Sequence, residues 1–341
     1  MFKIQEYISF RDLNTFKVGG SARFLADVAS IKELAKAVSF AKERKLPIFV
    51  LGEGSNILVS DEGFFGFVVK MNIKGKRFNF VPNGARATVS PGENWDDFVE
   101  EAVQKNLYGI ENLSGIPGSV GAAVAQNIGA YGTEVKETIE SVTVFDTDSM
   151  EEKTLSLSDC QFGYRSSYFK SEAGKNLIVT SVTFALWKKG GVDIEYQDLK
   201  KFFREKNTPS LYTVRQAVLE IRKNKLPDLS QVGTAGSFFK NLVVTNKKYK
   251  TLRKKIPNLP GFSLESGEIK IPLAWIIDNL LHLKGVSKEN VAVYDKQAIV
   301  LVNLHNASAK EIYNYAKKIQ KQLKDVVGVS PEFEVCFVGE F

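Results

Sequence analysis

Histidine and cysteine are nearly missing from this chain, which has two of each. Both histidines, His282 and His305, come late, and their spacing is not that of metal ligands. His282 is expected on a helix, as a structural residue among apolar neighbours. This scarcity argues against a Ser-His-Asp or Cys-His hydrolase and against zinc chemistry, which need imidazole or thiolate groups brought together. Cys160 and Cys336 lie far apart and make neither a disulfide framework nor a metal-binding pattern. A reducing cytoplasm is the expected compartment. No apolar run reaches about 18 residues, so no membrane span is expected. The opening Met1-Phe2-Lys3-Ile4-Gln5-Glu6 has no basic stretch followed by an apolar one, so no signal peptide is expected. The chain also lacks a Gly-x-x-x-x-Gly-Lys-Ser/Thr phosphate loop, internal repeats and low-complexity segments.

With 341 residues, 44% of them hydrophobic, the chain has material for two or three domains with a sizeable core. Its net charge of +7 suits phosphates and small anionic substrates. The densest basic run, Asn246 to Lys255, has no recognition motif or aromatic stacking platform around it. A solvated helical face is expected there, and no nucleic-acid partner. Ser30-Ile31-Lys32-Glu33 reads as a capping box, opening a helix to about Lys45 with Ile31, Leu34, Ala35 and Val38 at helical spacing. Strands are expected at 46–51, 67–71, 141–146 and 177–186. A one-faced helix is expected around Trp95, Phe98, Val99, Ala102 and Val103, and another from Thr213 to near Lys225. The turn-rich stretch 228–236 is the expected domain boundary. Beyond it come a helix bearing Leu273, Ile276, Ile277, Leu280 and Leu281, and a strand at 298–304. A capped helix from Ser308 bears Ile312, Ala316, Ile319 and Leu323, and a closing strand spans 333–338. Helices and strands mix without strict alternation, so the fold class is α+β.

Against these scarcities stand the glycines. From Gly115 to Gly132, five of eighteen residues are glycine and none is charged, where usage of roughly 7% would give about one. Glycine lets backbone come close to a flat or phosphorylated group, and successive N–H groups in such turns form anion-binding nests. A wall against a large anionic cofactor and a tightly turned core segment fit this tract equally well. Gly52-Glu53-Gly54-Ser55-Asn56 starts like a dinucleotide fingerprint after a strand. It lacks the third glycine, because position 57 is Ile, and Asp61-Glu62-Gly63 breaks the chain soon after. A sharp strand-to-strand turn and a pyrophosphate contact remain open; two such tracts in one domain favour a cofactor. Cys160 to Lys170 surrounds Arg165 with aromatics, as suits carboxylate recognition or a stacked surface arginine. In Gly233 to Asn241, Ser237 precedes Phe238 and Phe239, which alone reads as a turn serine before two core residues. Pro331-Glu332-Phe333-Glu334-Val335 is expected to put two carboxylates on one face of a strand.

Several motifs occur together and in order: Gly52 to Asn56, Ile116 to Gly121, Gln126 to Gly132, Phe162-Gly163-Tyr164-Arg165, Lys225-Leu226-Pro227-Asp228, Ala235 to Asn241, and Glu332 to Val335. By these the chain, from Asn14 to Gly339, resembles the UDP-N-acetylenolpyruvoylglucosamine reductases, flavoenzymes of bacterial peptidoglycan synthesis. The resemblance implies a vanillyl-alcohol-oxidase (PCMH)-type two-part FAD-binding region plus a C-terminal α+β substrate-binding domain. The corresponding ranges are 1–70 joined by 327–341, then 71–226, then 227–326. It implies non-covalent FAD held by Gly52, Gly54, Ser55, Asn56, Gly115, Pro117, Gly118, Ser119, Gly121, Gln126, Asn127, Gly129, Ala130 and Tyr131, with NADPH as co-substrate. The substrate implied is UDP-N-acetyl-3-O-(1-carboxyvinyl)-glucosamine, which takes a hydride at C3.

In the same resemblance Ser237 matches the serine that protonates C2. Arg165 and Glu334 match the pair that holds the carboxylate and stabilises the enol. Tyr196 matches the tyrosine of the loop over the UDP group in the longer form of the family. Lys225 and Asn241 match residues on the diphosphate and uridine side, and Gln297 joins the implied substrate set. Glu334 is expected to carry a raised pKa, since a carboxylate beside a carboxylate is repelled. A cytoplasmic monomer without metal is expected. A different FAD oxidase of the superfamily would often tether its flavin through a histidine, and none precedes His282. Two departures stand out: Phe333 where the family usually has proline, and Val124-Ala125 in place of a proline-containing pair.

Overall fold

The computed structural model describes residues 2–204, 209–264 and 266–341; Met1, at the head of the segment expected to carry no signal peptide, lies outside them. The chain makes two compact units, each gathered from separate stretches of sequence. One comprises Met1–Ile8, Ala22–Gly54 and Phe65–Asn224, the other Ser9–Ser21, Ser55–Phe64 and Lys225–Phe341.

In the first unit the helix Ile31–Glu43 begins where Ser30 accepts the Glu33 N–H at 3.2 Å and Glu33 accepts the Ala29 N–H at 2.9 Å. The first bond satisfies a donor that a helix start leaves unpaired, and the second ties down the residue before the cap. Its Leu34, Ala37, Val38 and Ala41 are buried with Ala26, Val28, Phe67 and Val69 of a four-stranded sheet. That sheet runs in the order Ile4–Ser9, Ser21–Val28, Phe64–Met71, Ile48–Leu51. The edge strand Ile48–Leu51 lies parallel to its neighbour, Ile48 opposite Phe67, and its C-terminal end delivers Gly52.

A second, five-stranded antiparallel sheet has the order Glu151–Ser156, Ile139–Asp146, Leu177–Trp187, Gly84–Val89, Lys76–Val81. Val142, Val144, Val182, Phe184, Ala85, Ala87 and Val89 share a core with Trp95, Phe98, Val99, Ala102 and Val103 of the helix Trp95–Gln104. The expected one-faced stripe is thus buried as a whole. Phe98 stands 4.9 Å from Phe184, centroid to centroid, and each such side chain contributes on the order of 1.5–3 kcal/mol by leaving water.

In the second unit Ser308 and Glu311 cap the helix Ala309–Val327 reciprocally, at 3.1 and 2.6 Å. Ile312, Ala316, Ile319 and Leu323 are all buried. The helix Asn246–Lys255 buries only Leu252, so the basic run is the solvated face expected of it. A short parallel pair joins Cys336–Val338 to Ile57–Val59, with Cys336 opposite Ile57.

Three expected strands are shorter than the pattern suggested: Ile48–Leu51, Leu301–Asn303 and Cys336–Val338. Phe333 keeps a single bridge, to Phe239, so Glu332 and Glu334 do not share a face of a continuous strand. His282 is exposed and lies beyond the helix Leu273–Asn279, in a left-handed conformation with φ 52°. At the helix end Leu280 N–H keeps the ordinary bond to the Ile276 carbonyl at 3.0 Å, while Leu281 N–H reaches the same carbonyl, five residues back, at 3.1 Å and leaves the helical pattern.

Candidate active site

The strand Ile48–Leu51 is followed by another strand and not by a helix, so Gly52 to Asn56 is a strand-to-strand turn. A Cβ at Gly52 would stand 2.5 Å from Ser119 Oγ and 3.4 Å from Ala122 Cβ. The two glycine-rich tracts therefore meet, and only a residue without a side chain fits the meeting point. Gly54, with φ 65°, closes the turn, while Glu53 turns aside to accept Asn94 Nδ2 at 3.0 Å. Gly118 to Gly121 is stitched to Pro91 to Trp95. Trp95 N–H donates to Gly118, Val120 N–H to Glu93 and Gly121 N–H to Pro91, each at 2.9 Å. Gly115 N–H donates to Asp96 at 2.6 Å, and the Gly115 carbonyl accepts Arg222 Nε at 3.0 Å. Asp96 also takes both prongs of Arg215, at 2.6 and 3.0 Å. Burial works to raise the Asp96 pKa, but the Arg215 fork, the Gly115 N–H and two guanidinium charges outweigh it and hold the carboxyl below its ordinary value.

Gly52 is thus faced by the Ser119 hydroxyl and the Ala122 methyl, Gly121 by Pro91 and Gly115 by Leu219 and Arg222, with Pro117 exposed between. Backbone so poor in side chains lets a flat or phosphorylated group come close, while the N–H groups of Gly115, Val120 and Gly121 are already bonded within the protein. Among the described residues no group of three or more His, Cys, Asp or Glu could hold a metal. These residues fit the FAD that the resemblance implies.

After the short helix Val120–Ala125 and Gln126, Asn127 is fully buried at φ 44° and joins three segments with one amide. Its Nδ2 donates to Glu134 at 2.9 Å and to the Gly163 carbonyl at 2.8 Å, and its Oδ1 accepts the Lys136 N–H at 3.2 Å. Gly163 and Ser166 close a tight turn with mutual backbone bonds of 3.0 and 3.1 Å, inside which Arg165 adopts φ 52°. The Arg165 guanidinium donates to the Gly129 carbonyl, and its carbon lies 5.3 Å from the Tyr164 ring centroid. Arg165 is therefore brought onto the glycine-rich tract.

Gly129–Ala130 and Thr133–Glu134 form a hairpin turned by Tyr131 and Gly132, at φ 49° and 94°. Positive φ at both central residues is the type I′ pattern. Burial pushes the Tyr131 hydroxyl up to about 12, with the Arg222 guanidinium hydrogen-bonded to it. The same burial lowers the Arg222 pKa. The Tyr131 ring meets the Tyr196 ring edge-on at 5.4 Å, and Tyr196 precedes the helix Gln197–Phe203.

In the second unit, Ser237 is half-buried on an irregular strand. Ser237 bridges Val300, and Phe238 N–H donates to Ile299 at 2.8 Å. On the other side Glu334 N–H donates to the Phe238 carbonyl at 2.9 Å. The serine and the half-buried Glu334 thus sit on adjoining backbone, anchored by fully buried Phe238 and nearly buried Phe239. Asn56 clamps the Glu334 segment from beneath, its Nδ2 donating to the Glu334 carbonyl at 3.1 Å and its carbonyl accepting the Cys336 N–H at 3.0 Å. Glu332 is exposed and pairs with Lys240 at 2.8 Å. Asn241 Oδ1 accepts the Leu273 N–H at 3.0 Å and so caps the helix Leu273–Asn279. Gln297 closes the turn before Val300, and Lys225 ends the helix Leu211–Lys225.

Residues 22–154 match the family model of the FAD binding domain, and residues 228–338 match that of the C-terminal domain of UDP-N-acetylenolpyruvoylglucosamine reductase. The UDP-N-acetylenolpyruvoylglucosamine reductase of Flavobacterium johnsoniae is 36% identical, over 98% of this chain and 99% of its own. That of Ralstonia nicotianae is 38% identical, over 94% and 95%. The chain belongs to the UDP-N-acetylenolpyruvoylglucosamine reductase family. A crystal structure of such a reductase from Thermus caldophilus, 24% identical, shares the fold with a TM-score of 0.70 over 99% of this chain and 100% of that one. The reductase fold is α+β, an FAD-binding region of the vanillyl-alcohol-oxidase type followed by the C-terminal domain. The FAD-binding match spans both glycine-rich tracts, and the C-terminal match spans Ser237, Asn241, Gln297 and Glu334; Arg165, Tyr196 and Lys225 fall between the two.

Two residues packed behind the Tyr131 hairpin escaped the sequence reading. Arg222 lies one helical turn before Lys225, a spacing that could have revealed it. Asn112 lies in the turn Glu111–Leu113, and nothing in its local pattern marks it.

Proposed function

We propose that the protein reduces the enolpyruvyl ether of UDP-N-acetyl-3-O-(1-carboxyvinyl)-glucosamine to UDP-N-acetylmuramate, with NADPH as reductant, for peptidoglycan precursors in the cytoplasm. It acts as a monomer, with 1–70 plus 327–341 and 71–226 forming the FAD region and 227–326 the substrate domain. Gly52, Gly54, Ser55, Asn56, Gly115, Pro117, Gly118, Ser119, Gly121, Gln126, Asn127, Gly129, Ala130 and Tyr131 bind FAD. When bound, FAD supplies the two-electron chemistry that passes a hydride from NADPH to the substrate.

The protein's own residues manage charge and protons. Hydride addition at C3 develops negative charge on C2 and on the carboxylate. Arg165, preset by its turn and by the Gly129 carbonyl, holds the carboxylate where that charge grows. Glu334 helps as a hydrogen-bond donor or as a partner of Arg165. The Ser237 hydroxyl holds the proton delivered to C2; a hydroxyl is a weak acid, and gives up its proton only to a strongly basic enolate in good geometry. Tyr196 covers the UDP group, and Lys225, Asn241 and Gln297 contact the nucleotide side.

The observation that carries this reading is the seating of Arg165 on Gly129, inside the tract that also meets Gly52. Its test is Ser237→Ala, followed one half-reaction at a time. Reduction of the flavin by NADPH should stay within about twofold, while reoxidation by the enolpyruvyl substrate should fall by roughly 10²-fold or more, the scale of general-acid catalysis. Reoxidation at the wild-type rate removes Ser237 from the mechanism.

A further inference from the structure

Asn112 is 2% exposed, and its Nδ2 makes two hydrogen bonds of 2.9 Å, one to the Tyr131 carbonyl and one to the Asp193 carbonyl. Its Oδ1 is buried and accepts no hydrogen bond among the described residues. A buried acceptor left unpaired is unfavourable, and a leucine of the same shape would avoid it. What the position retains is therefore the pair of amide hydrogens. Those hydrogens tie two backbones that each carry a ring: the tip of the hairpin at Tyr131, and the segment that reaches Tyr196 three residues after Asp193.

We propose that Asn112 is the positioning residue for Tyr196, holding the segment 193–196 against the Tyr131 hairpin so that the tyrosine is preset over the nucleotide. Tyr196 is 44% exposed, and its ring rests on Tyr131 at 5.4 Å with planes 80° apart. One edge contact is weak, but a clamp on both backbones fixes it. Asp193 adds to the clamp by accepting the Glu195 N–H at 2.8 Å. Presetting a loop removes the ordering that binding would otherwise demand, so the effect belongs in KM. The proposal rests on the reading of Tyr196 as a substrate residue.

The test uses the FAD-loaded enzyme with Asn112→Leu, Tyr196→Ala and the double variant. Asn112→Leu should raise KM for the enolpyruvyl nucleotide sugar by about tenfold with kcat within about twofold, as lost preorganisation predicts. In the Tyr196→Ala background the same change should add less than about twofold, since coupled residues are non-additive. An unchanged KM for Asn112→Leu alongside a raised KM for Tyr196→Ala overturns the proposal and leaves the role of Tyr196 standing. Full multiplication of the two effects also overturns it. An unchanged KM for Tyr196→Ala overturns the role of Tyr196 itself. If Asn112→Leu folds poorly, Asn112→Asp keeps the shape and turns an oxygen toward two carbonyls. Amide exchange should then quicken at 193–196 and not at 120–125; equal exchange in both segments, or no change, overturns the proposal.

Discussion

A guanidinium that is to fork onto a carboxylate must have its backbone and one of its nitrogens already held. Arg165 meets both conditions, through its left-handed turn between Gly163 and Ser166 and through the bond to the Gly129 carbonyl. Asn127 fixes that turn from inside, with a single amide bonded to Gly163, Glu134 and Lys136. A lysine at position 165 would bring a point charge on a flexible stem and could not bond the carbonyl and fork onto a carboxylate together. Arg165→Lys should lower kcat/KM for the enolpyruvyl substrate by roughly 10²-fold, the scale for a lost charge-stabilising donor. Steady-state rates within about threefold of wild type would show that the fork is not used.

The contact between the two glycine-rich segments sets how much room either can give up. A methyl at Gly52 would stand 2.5 Å from Ser119 Oγ, so one of the segments must move. Gly52→Ala should destabilise by about 1–3 kcal/mol, as overpacking does, and should lower the flavin-to-protein absorbance ratio after gel filtration. Adding Ser119→Gly should restore the thermal midpoint if the serine is the obstacle; a double variant as unstable as the single one places the strain elsewhere. The glycines were legible in the sequence because close backbone approach demands a residue without a side chain; Ser237 and Arg165 stood out only through the family resemblance, since their own surroundings read equally as a turn serine and a stacked arginine. Helix stripes such as Trp95 to Val103 were legible because burial imposes a period. Strand ends were not, because they depend on where a partner runs out, as at Phe333 with its single bridge. Nor was the grip of Asn56 on Glu334, whose two residues lie 278 positions apart. The placing of His282 failed because Leu281 N–H left the helical pattern for the Ile276 carbonyl, five residues back, and the chain turned off before position 282.

For the molecule as a whole, acid stability depends on pairs such as Asp96 with Arg215, a guanidinium that is 8% exposed. The Asp96 pKa is lowered in the folded protein. Its contribution is therefore fully present above the unfolded value of about 3.9, and is lost as pH falls through the lowered folded value. Asp96→Asn strips Arg215 of its counter-charge and should destabilise by roughly 2–4 kcal/mol at pH 7. Denaturant unfolding at pH 7 and pH 3 should show a smaller difference from wild type at the lower pH. An equal difference at both would mean that Asp96 contributes through its shape and not its charge.

The parallel pairing of Ile57–Val59 with Cys336–Val338 also sets an order of events during synthesis. The first of these strands leaves the ribosome long before its partner exists, and domains generally fold as units as they emerge. The second unit therefore stays open through most of translation, with Ile57, Leu58 and Val59, buried in the finished protein, lacking that partner strand. Nascent chains still held on the ribosome should accordingly be protease-sensitive around residues 55–64, and the released full-length chain should not.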